Sequence, residues 1–363
     1  MTTDAYQLQL NNKEHYFNSL FTDCNLPALE IFPSVAKHYR MRAEFRIWHD
    51  DDSCCYAMFS AGDKAGKGKV HKLENFDVAH HHINDLMPKL LEQIRQLPIL
   101  RNRLFQAEFL TTLAGQTLVT LIYHKVLDDE WSLAANQLAN QLGIYLIGRS
   151  RGQKIVVNQD YVLEKLTVHD EVFQYKQMEG SFTQPNAEIC QHMLKWACDV
   201  AKEIPHGDLL ELYCGNGNFT LPLSRHFKRV LATEVSKTSV QAARWNIATM
   251  GAKNIALARL SAEEFTQAYQ GARLFKRLTD EKIDLNNYAF STVFVDPPRA
   301  GIDEQTLRLL QNFDNIIYVS CNPVTLHSNL HTLMQTHMPK RVALFDQFPF
   351  TPHIESGVWL QRQ

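Results

Sequence analysis

No stretch of this chain approaches the ~18 consecutive apolar residues of a membrane-spanning helix. Met1 to Leu10 is polar, with no apolar run ahead of a small-residue cleavage site. Neither a membrane anchor nor a secretory leader is expected, and the expected compartment is the cytoplasm. An excess of one charge is also missing: 37 Lys and Arg face 39 Asp and Glu, a formal −2. The chain therefore lacks the overall basicity of many nucleic-acid binders, although local patches survive such cancellation. No CxxC occurs among the seven cysteines, Cys24, Cys54, Cys55, Cys190, Cys198, Cys214 and Cys321. An odd count without a leader points to free thiols. Cys54 and Cys55 are adjacent, and neighbours on a strand face opposite ways. No zinc or iron–sulfur site is expected, and there is no internal repeat or low-complexity tract.

What is present is an ordinary globular composition over 363 residues, 45% hydrophobic and 21% charged, enough for two domains. Residues 1–180 read as an α+β domain. Partial alternation over Lys37 to Trp48 and the run from Cys55 suggest strands. Helical spacing follows over Ile83 to Leu97 and Ser132 to Leu142, with strand-like runs at Gln106 to Leu113, Thr117 to Tyr123 and Gly143 to Gly148. Residues 62–72, rich in Gly and Lys, read as an exposed basic loop. His80–His81–His82 reads as a polar helix start. Residues 181–363 alternate more cleanly. A helix over 185–204, with Pro185 in its first turn, precedes strands at Leu209 to Tyr213, Arg229 to Thr233, Thr292 to Val295 and Ile316 to Ser320. Helices fall between them at Ser239 to Met250 and Thr306 to Gln311. That order implies an α/β fold with a parallel sheet covered on both faces.

Five motifs fall at the ends of these strands. In LLELYCGNGNFTLPL, Gly215 and Gly217 allow a tight turn and close approach to a ligand, where doubly wound sheets bind nucleotides. Glu234 ends the second strand 19 residues after Gly215, a spacing suited to holding two ribose hydroxyls. Asp296–Pro297–Pro298–Arg299 makes a rigid acidic tip suited to an amine or imide. Cys321, in SCNP, leaves the core at that edge and is placed to act as a nucleophile. Glu355, in PHIESG, is a candidate general base, with His353 as a possible assistant.

The GNGN loop, DPPR, SCNP and the terminal HIESG together resemble the RNA uracil-5-methyltransferases, and within them the bacterial tRNA-directed type. The rRNA-directed relatives typically carry a further N-terminal β-barrel and four cysteines for an iron–sulfur cluster, neither of which is seen here. The resemblance implies a C-terminal Rossmann-like methyltransferase domain at 181–363 behind an N-terminal α+β RNA-binding domain at 1–180. It implies S-adenosylmethionine as cofactor, S-adenosylhomocysteine as product, and no metal. It assigns Gln184 in FTQPN, Tyr213, Gly215, Asn218, Glu234 and Asp296 to the cofactor pocket, Cys321 to the nucleophile and Glu355 to the base. Asn218, and Ser261–Ala262 where many relatives carry an acid near the adenine, depart from the wider methyltransferase pattern. The implied substrate is the T-loop uridine of tRNA, position 54, and T-like loops such as that of tmRNA are also admitted. No protein partner is implied.

Uracil C5 is a weak nucleophile. Thiolate addition at C6 makes C5 an enolate carbon, and a base must later remove the C5 proton, which is why one cysteine and one carboxylate suffice. A folded T-loop hides its base, so the base must be flipped out. The residues expected to meet RNA are Arg42, Arg46, Lys64, Lys67, Lys69, Arg101, Phe105 and His124, with Phe105 able to stack where the base leaves. Three other readings stay open: an rRNA-directed enzyme, an adenine amino-methyltransferase that would need no thiol, and an RNA-folding module without turnover.

Overall fold

The computed structural model describes residues 3–50, 53–59 and 70–363. Two compact units emerge: one from residues 1–36, 166–176 and 188–363, the other from 37–165 and 177–187.

The first unit is built on an eight-stranded sheet. Its spatial order is Leu29–Phe32, His337–Phe345, Glu355–Arg362, Asn315–Ser320, Phe290–Val295, Asp208–Leu212, Arg229–Thr233 and Ile255–Ala258. Neighbouring pairs are parallel except those made by Glu355–Arg362, which runs antiparallel to both its neighbours. The central strands are buried along their whole length, as the continuous apolar runs demand for a sheet covered on both faces. This is the Rossmann-like α/β architecture expected from the alternating pattern. The four central strands match the expected spans within a few residues, Arg229–Thr233 at both ends.

The expected boundary near residue 180 requires correction. Residues 1–36 belong with the first unit: the Thr3–Leu20 helix packs against the Pro323–Leu333 helix, and Leu29–Phe32 extends the sheet edge alongside Val342–Phe345. Phe17 and Phe21 are buried in the same core as Leu326 and Leu330. The N-terminal helix has a weakly segregated apolar pattern, so periodicity alone does not mark it.

The second unit carries a seven-stranded sheet, mostly antiparallel, with Thr117–Tyr123 and Tyr145–Ser150 paired in parallel across the Asp129–Leu142 helix. In Arg42–Asp50, Ala43, Phe45 and Ile47 face the core, and Arg42, Glu44 and Arg46 the other way. The His81–Gln96 helix buries Ile83, Leu86, Met87, Leu90, Leu91 and Ile94 against this sheet. His80 is its N-cap. The α+β reading of this region therefore holds for 37–165. The hairpin Tyr161–Val168 and Glu171–Met178 carries the chain between units.

Candidate functional site

The glycine turn leaves the Asp208–Leu212 strand through three left-handed residues, Tyr213 (φ 62°), Gly215 (φ 57°) and Gly217 (φ 83°). Two are glycine, which tolerates this conformation; Tyr213 is not, and holds a conformation uncommon for a bulky side chain. A side chain built at Gly215 would meet nothing within 4 Å, so the space above the loop is open. Glu234 closes the loop from the next strand. Its carboxylate accepts the Gly215 N–H at 3.0 Å and the Ser236 N–H at 2.7 Å. Asn218 is used differently. Its carbonyl accepts the Tyr175 hydroxyl at 2.9 Å and its amide donates to the Cys190 sulfur at 3.3 Å, tying the loop to the Ala187–Glu203 helix. Ser261 caps the Ala262–Tyr269 helix in a reciprocal box with Glu264. Gln184 falls on the 177–187 segment, which belongs to the other compact unit.

The reactive edge is set by strand register. Ser320 pairs with Ser356, and Phe345 with Glu355, on the two sides of the same antiparallel strand. The register that pairs Ser320 with Ser356 brings Cys321, one residue on, opposite Glu355. The Ser356 hydroxyl fastens this crossing by donating to the Ser320 carbonyl at 3.2 Å. At Gly357 the Trp196 ring lies 2.7 Å from where a Cβ would stand, so only glycine lets the helix seat against this strand.

Cys321 is half-buried, and burial together with Glu355 and Asp296 pushes its thiol up to about 11, against a smaller lowering by Arg299. Glu355 is 4% exposed, and its Oε1 has no hydrogen-bond partner. Burial, then the proximity of Asp296, holds its carboxyl well above the ordinary range. Burial likewise pushes Asp296 up to about 7. Two acids crowded beside one buried thiol disfavour further negative charge and favour a cation placed among them.

The loops around these groups are rigidly tied. Asn322 caps the Pro323–Leu333 helix by accepting the Val324 N–H, with Pro323 at the first helical position. The Asn322 amide also donates to the Arg299 carbonyl at 3.1 Å, so SCNP holds DPPR in place. Arg299 Nη2 lies 2.7 Å from His353 Nδ1 on the exposed rim. A cleft of about 860 Å³ opens beside Cys321, walled by Gln9, Lys13, Tyr16, Arg299, Phe350 and Ile354.

Sequence reasoning did not anticipate the part played by the N-terminal helix. Asp346 is fully buried and receives Lys13 Nζ at 2.7 Å, the Tyr6 hydroxyl at 2.8 Å and Gln9 Nε2 at 2.8 Å. Lys13 also donates to the Phe348 carbonyl at 2.8 Å. This clamp fixes the connection that ends at Glu355. Nothing but tertiary structure links residues 333 positions apart in sequence. Glu211 was missed too. It is 1% exposed on a central strand, has one unpartnered oxygen, and burial followed by Asp296 pushes its carboxyl up to about 8. An acid in an otherwise apolar strand, LLELY, was its signal.

In the second unit the expected RNA residues separate. Arg46, Phe105 and His124 come together: the Arg46 guanidinium sits 3.4 Å over the Phe105 ring, and the Phe105 and His124 rings lie 4.1 Å apart. Arg42 donates to the Ser181 carbonyl, and Arg101 to the Arg95 carbonyl at a helix end. Lys64, Lys67 and Lys69 lie outside the described residues.

The carboxylate beneath the open glycine loop, and the free space above it, fit a ribose-bearing cofactor such as S-adenosylmethionine. Comparison with known proteins agrees. A family model described as tRNA (Uracil-5-)-methyltransferase matches residues 5–363. A tRNA/tmRNA (uracil-C(5))-methyltransferase of Acinetobacter baylyi is 58% identical over 99% of each chain. One from Neisseria meningitidis serogroup C is 60% identical over 99% of this chain and 97% of its own. Among solved structures, a Pyrococcus abyssi tRNA (uracil-54, C5)-methyltransferase in complex with S-adenosyl-L-homocysteine superposes with a TM-score of 0.72, covering 98% of this chain and 83% of that one. At 18% identity that likeness speaks to the fold.

Proposed function

Because the chain belongs to the tRNA (uracil-5-)-methyltransferase family, we propose that it methylates C5 of the T-loop uridine, position 54, of tRNA, with Cys321 as nucleophile and Glu355 as base. It is an S-adenosylmethionine-dependent enzyme. The observation that carries the residue assignment is that Glu355, one residue before the Ser320–Ser356 pair and with no hydrogen-bond partner for its Oε1, lies close enough to Cys321 to push its thiol up.

When bound, S-adenosylmethionine supplies an electrophilic methyl on a positively charged sulfonium. Glu234 and the Gly215 turn are the groups we assign to its ribose, and Asp296 to the same pocket. The Cys321 thiol gives up its proton to solvent and adds as the thiolate to C6 of the flipped uracil, which puts the electron pair on the O4–C4–C5 enolate and makes C5 nucleophilic. After methylation, Glu355 takes the C5 proton and the sulfur leaves C6, restoring the aromatic ring. Burial, then Glu355 and Asp296, hold the Cys321 thiol up at about 11, so the neutral thiol is its favoured form at neutral pH. Arg299 is the nearby group that favours the thiolate.

The Arg46–Phe105–His124 stack supports RNA binding by the 37–165 unit. Its rings offer a surface for a T-loop base and its cation a contact for phosphate. T-like loops such as that of tmRNA fit the same chemistry, and the cytoplasm is the proposed place of action. Among the described residues no helix is long and apolar enough to cross a membrane. The amino-methyltransferase reading has no use for a thiol opposite a carboxylate. Incubating tRNA with the enzyme and labelled cofactor, then mapping the label, tests the assignment: 5-methyluridine at position 54 is expected. Label on an adenine amine, or methylation that persists in Cys321→Ala, would overturn it.

A further inference from the structure

A cluster of metal-capable side chains lies in the first unit, apart from the groups assigned to the reaction above. Asp23 and Cys24 stand just after the N-terminal helix; His327 and His331 sit one turn apart on the Pro323–Leu333 helix. The i, i+4 spacing puts both imidazoles on one face. Asp23 Oδ1 lies 2.8 Å from His327 Nε2, and Asp23 Oδ2 3.1 Å from His331 Nε2. The Cys24 sulfur is 3.7 Å from Asp23 Oδ1. One donor atom from each of the four residues lies within 4.8 Å of the others.

A carboxylate between two imidazoles is by itself a common surface ion pair. Cys24 is what changes the reading. It is 7% exposed, adds little to an Asp–His pairing, and brings a soft sulfur donor into the same cage. Zinc in tetrahedral coordination holds nitrogen at about 2.0 Å and sulfur at about 2.3 Å, so its ligand atoms stand roughly 3.2–3.6 Å apart. The observed separations lie close enough to that range for small side-chain rotations to complete the site.

We propose that Asp23, Cys24, His327 and His331 form a structural binding site for a borderline divalent cation, zinc by its donor set. Two imidazole nitrogens, one thiolate and one carboxylate oxygen satisfy four-coordinate zinc with no open position, so the site binds rather than catalyses. As the metal–sulfur bond forms, the Cys24 thiol gives its proton to solvent, and no redox change is involved. The ion would staple the chain after the N-terminal helix to the helix that begins two residues beyond Cys321. The N-terminal helix also carries the Lys13 clamp.

The test uses the full chain under reducing conditions, titrated with Co²⁺ and then Zn²⁺. One equivalent of Co²⁺ should produce a thiolate-to-cobalt charge-transfer band and the strong visible bands of a tetrahedral site, and one equivalent of Zn²⁺ should abolish both. Cys24→Ser should lose the charge-transfer band, whereas Cys321→Ala, which removes the one half-buried thiol among this unit's described cysteines, should keep it. His331→Ala changes an exposed side chain and leaves the fold intact. It should weaken Zn²⁺ binding by at least about 100-fold, beyond the 10–100-fold typical of losing a group outside the coordination sphere. Zn²⁺ should raise the Tm of the wild type and not that of His331→Ala. The proposal is overturned by absence of the band in the wild type, by its loss in Cys321→Ala but not Cys24→Ser, by equal affinity of wild type and His331→Ala, or by binding that needs millimolar zinc.

Discussion

On the proposed assignment, Glu355→Gln separates the two halves of the reaction, because the substitution acts oppositely on each. Glu355 is among the groups that push the Cys321 thiol up, second only to burial. Replacing its carboxyl with an amide removes that acid from beside the sulfur, so addition to C6 should proceed at least as readily as in the wild type. The amide cannot accept the C5 proton, so elimination loses its base. General-base catalysis is worth roughly 10²–10⁴-fold, or about 2.7–5.4 kcal/mol of barrier. A step left alone and a step slowed by that factor leave the covalent protein–RNA intermediate as the dominant species. Folding should not suffer, since the substitution replaces a buried ionisable group by a neutral one of the same shape. The assay is denaturing gel electrophoresis of enzyme mixed with end-labelled T-arm RNA and cofactor. Glu355→Gln should show a slow-migrating adduct that carries the transferred methyl. Cys321→Ala should show neither adduct nor methylation. Wild-type enzyme with 5-fluorouridine RNA should give the same adduct, because fluorine cannot leave as a cation. Turnover of Glu355→Gln near the wild-type rate with no adduct would place the base elsewhere and leave only the Cys321 assignment standing.

Glu234→Ala should weaken S-adenosylhomocysteine binding roughly tenfold or more, since each lost charge-assisted hydrogen bond costs about 1.5–3 kcal/mol; unchanged affinity by titration calorimetry would refute the ribose assignment. Glu211 has a folded-state pKa of about 8 against an ordinary 4.5, so the folded chain binds the extra proton. Its contribution is full below pH 4.5 and is lost as pH rises towards 8, at up to about 1.4 kcal/mol per pH unit. Urea midpoints measured from pH 5 to 8.5 should fall less steeply for Glu211→Gln than for the wild type, and parallel slopes would contradict this. Lys13→Met leaves the fully buried Asp346 without its cation, a loss of about 3–5 kcal/mol for a broken buried pair; a calorimetric Tm within a degree of wild type would show that Tyr6 and Gln9 suffice. Phe105→Ala should weaken tRNA binding by about 1–3 kcal/mol if one base stacks on its ring, with S-adenosylhomocysteine binding unchanged.

How much was legible in the sequence differs between elements for identifiable reasons. The strands at 208–212, 229–233, 290–295 and 315–320 were readable because a strand buried on both faces must be apolar throughout. The Arg42–Asp50 strand was readable in part because one face is buried and the other is not. The strands Leu29–Phe32 and Ile255–Ala258 were passed over: four residues carry too little pattern, and both are set by the neighbours they pair with. The Pro323–Leu333 helix is absent from the expected elements although its Asn322 cap and Pro323 start lie within SCNP, a motif noted only for its cysteine. The single cut at residue 180 failed because domain membership is a matter of packing. Residues 1–36 are distant in sequence from the sheet they complete.

Residue chemistry and strand-end position are local properties, so the sequence alone determined that a glycine turn, an acid at the second strand, a rigid DPPR tip, a cysteine and a terminal acid share one unit. The environments of those groups are not local. The 320–356 register brings Cys321 and Glu355 to one edge, and burial raises both Asp296 and Glu355, the latter further by Asp296. The clamp on Asp346 joins the two ends of the chain. The Arg46–Phe105–His124 stack gathers one residue from each of three places in sequence, while Arg42 and Arg101 are drawn to backbone carbonyls. Hydrogen bonds, desolvation and register act across space between residues that no window of sequence contains together, and only the tertiary structure decided them.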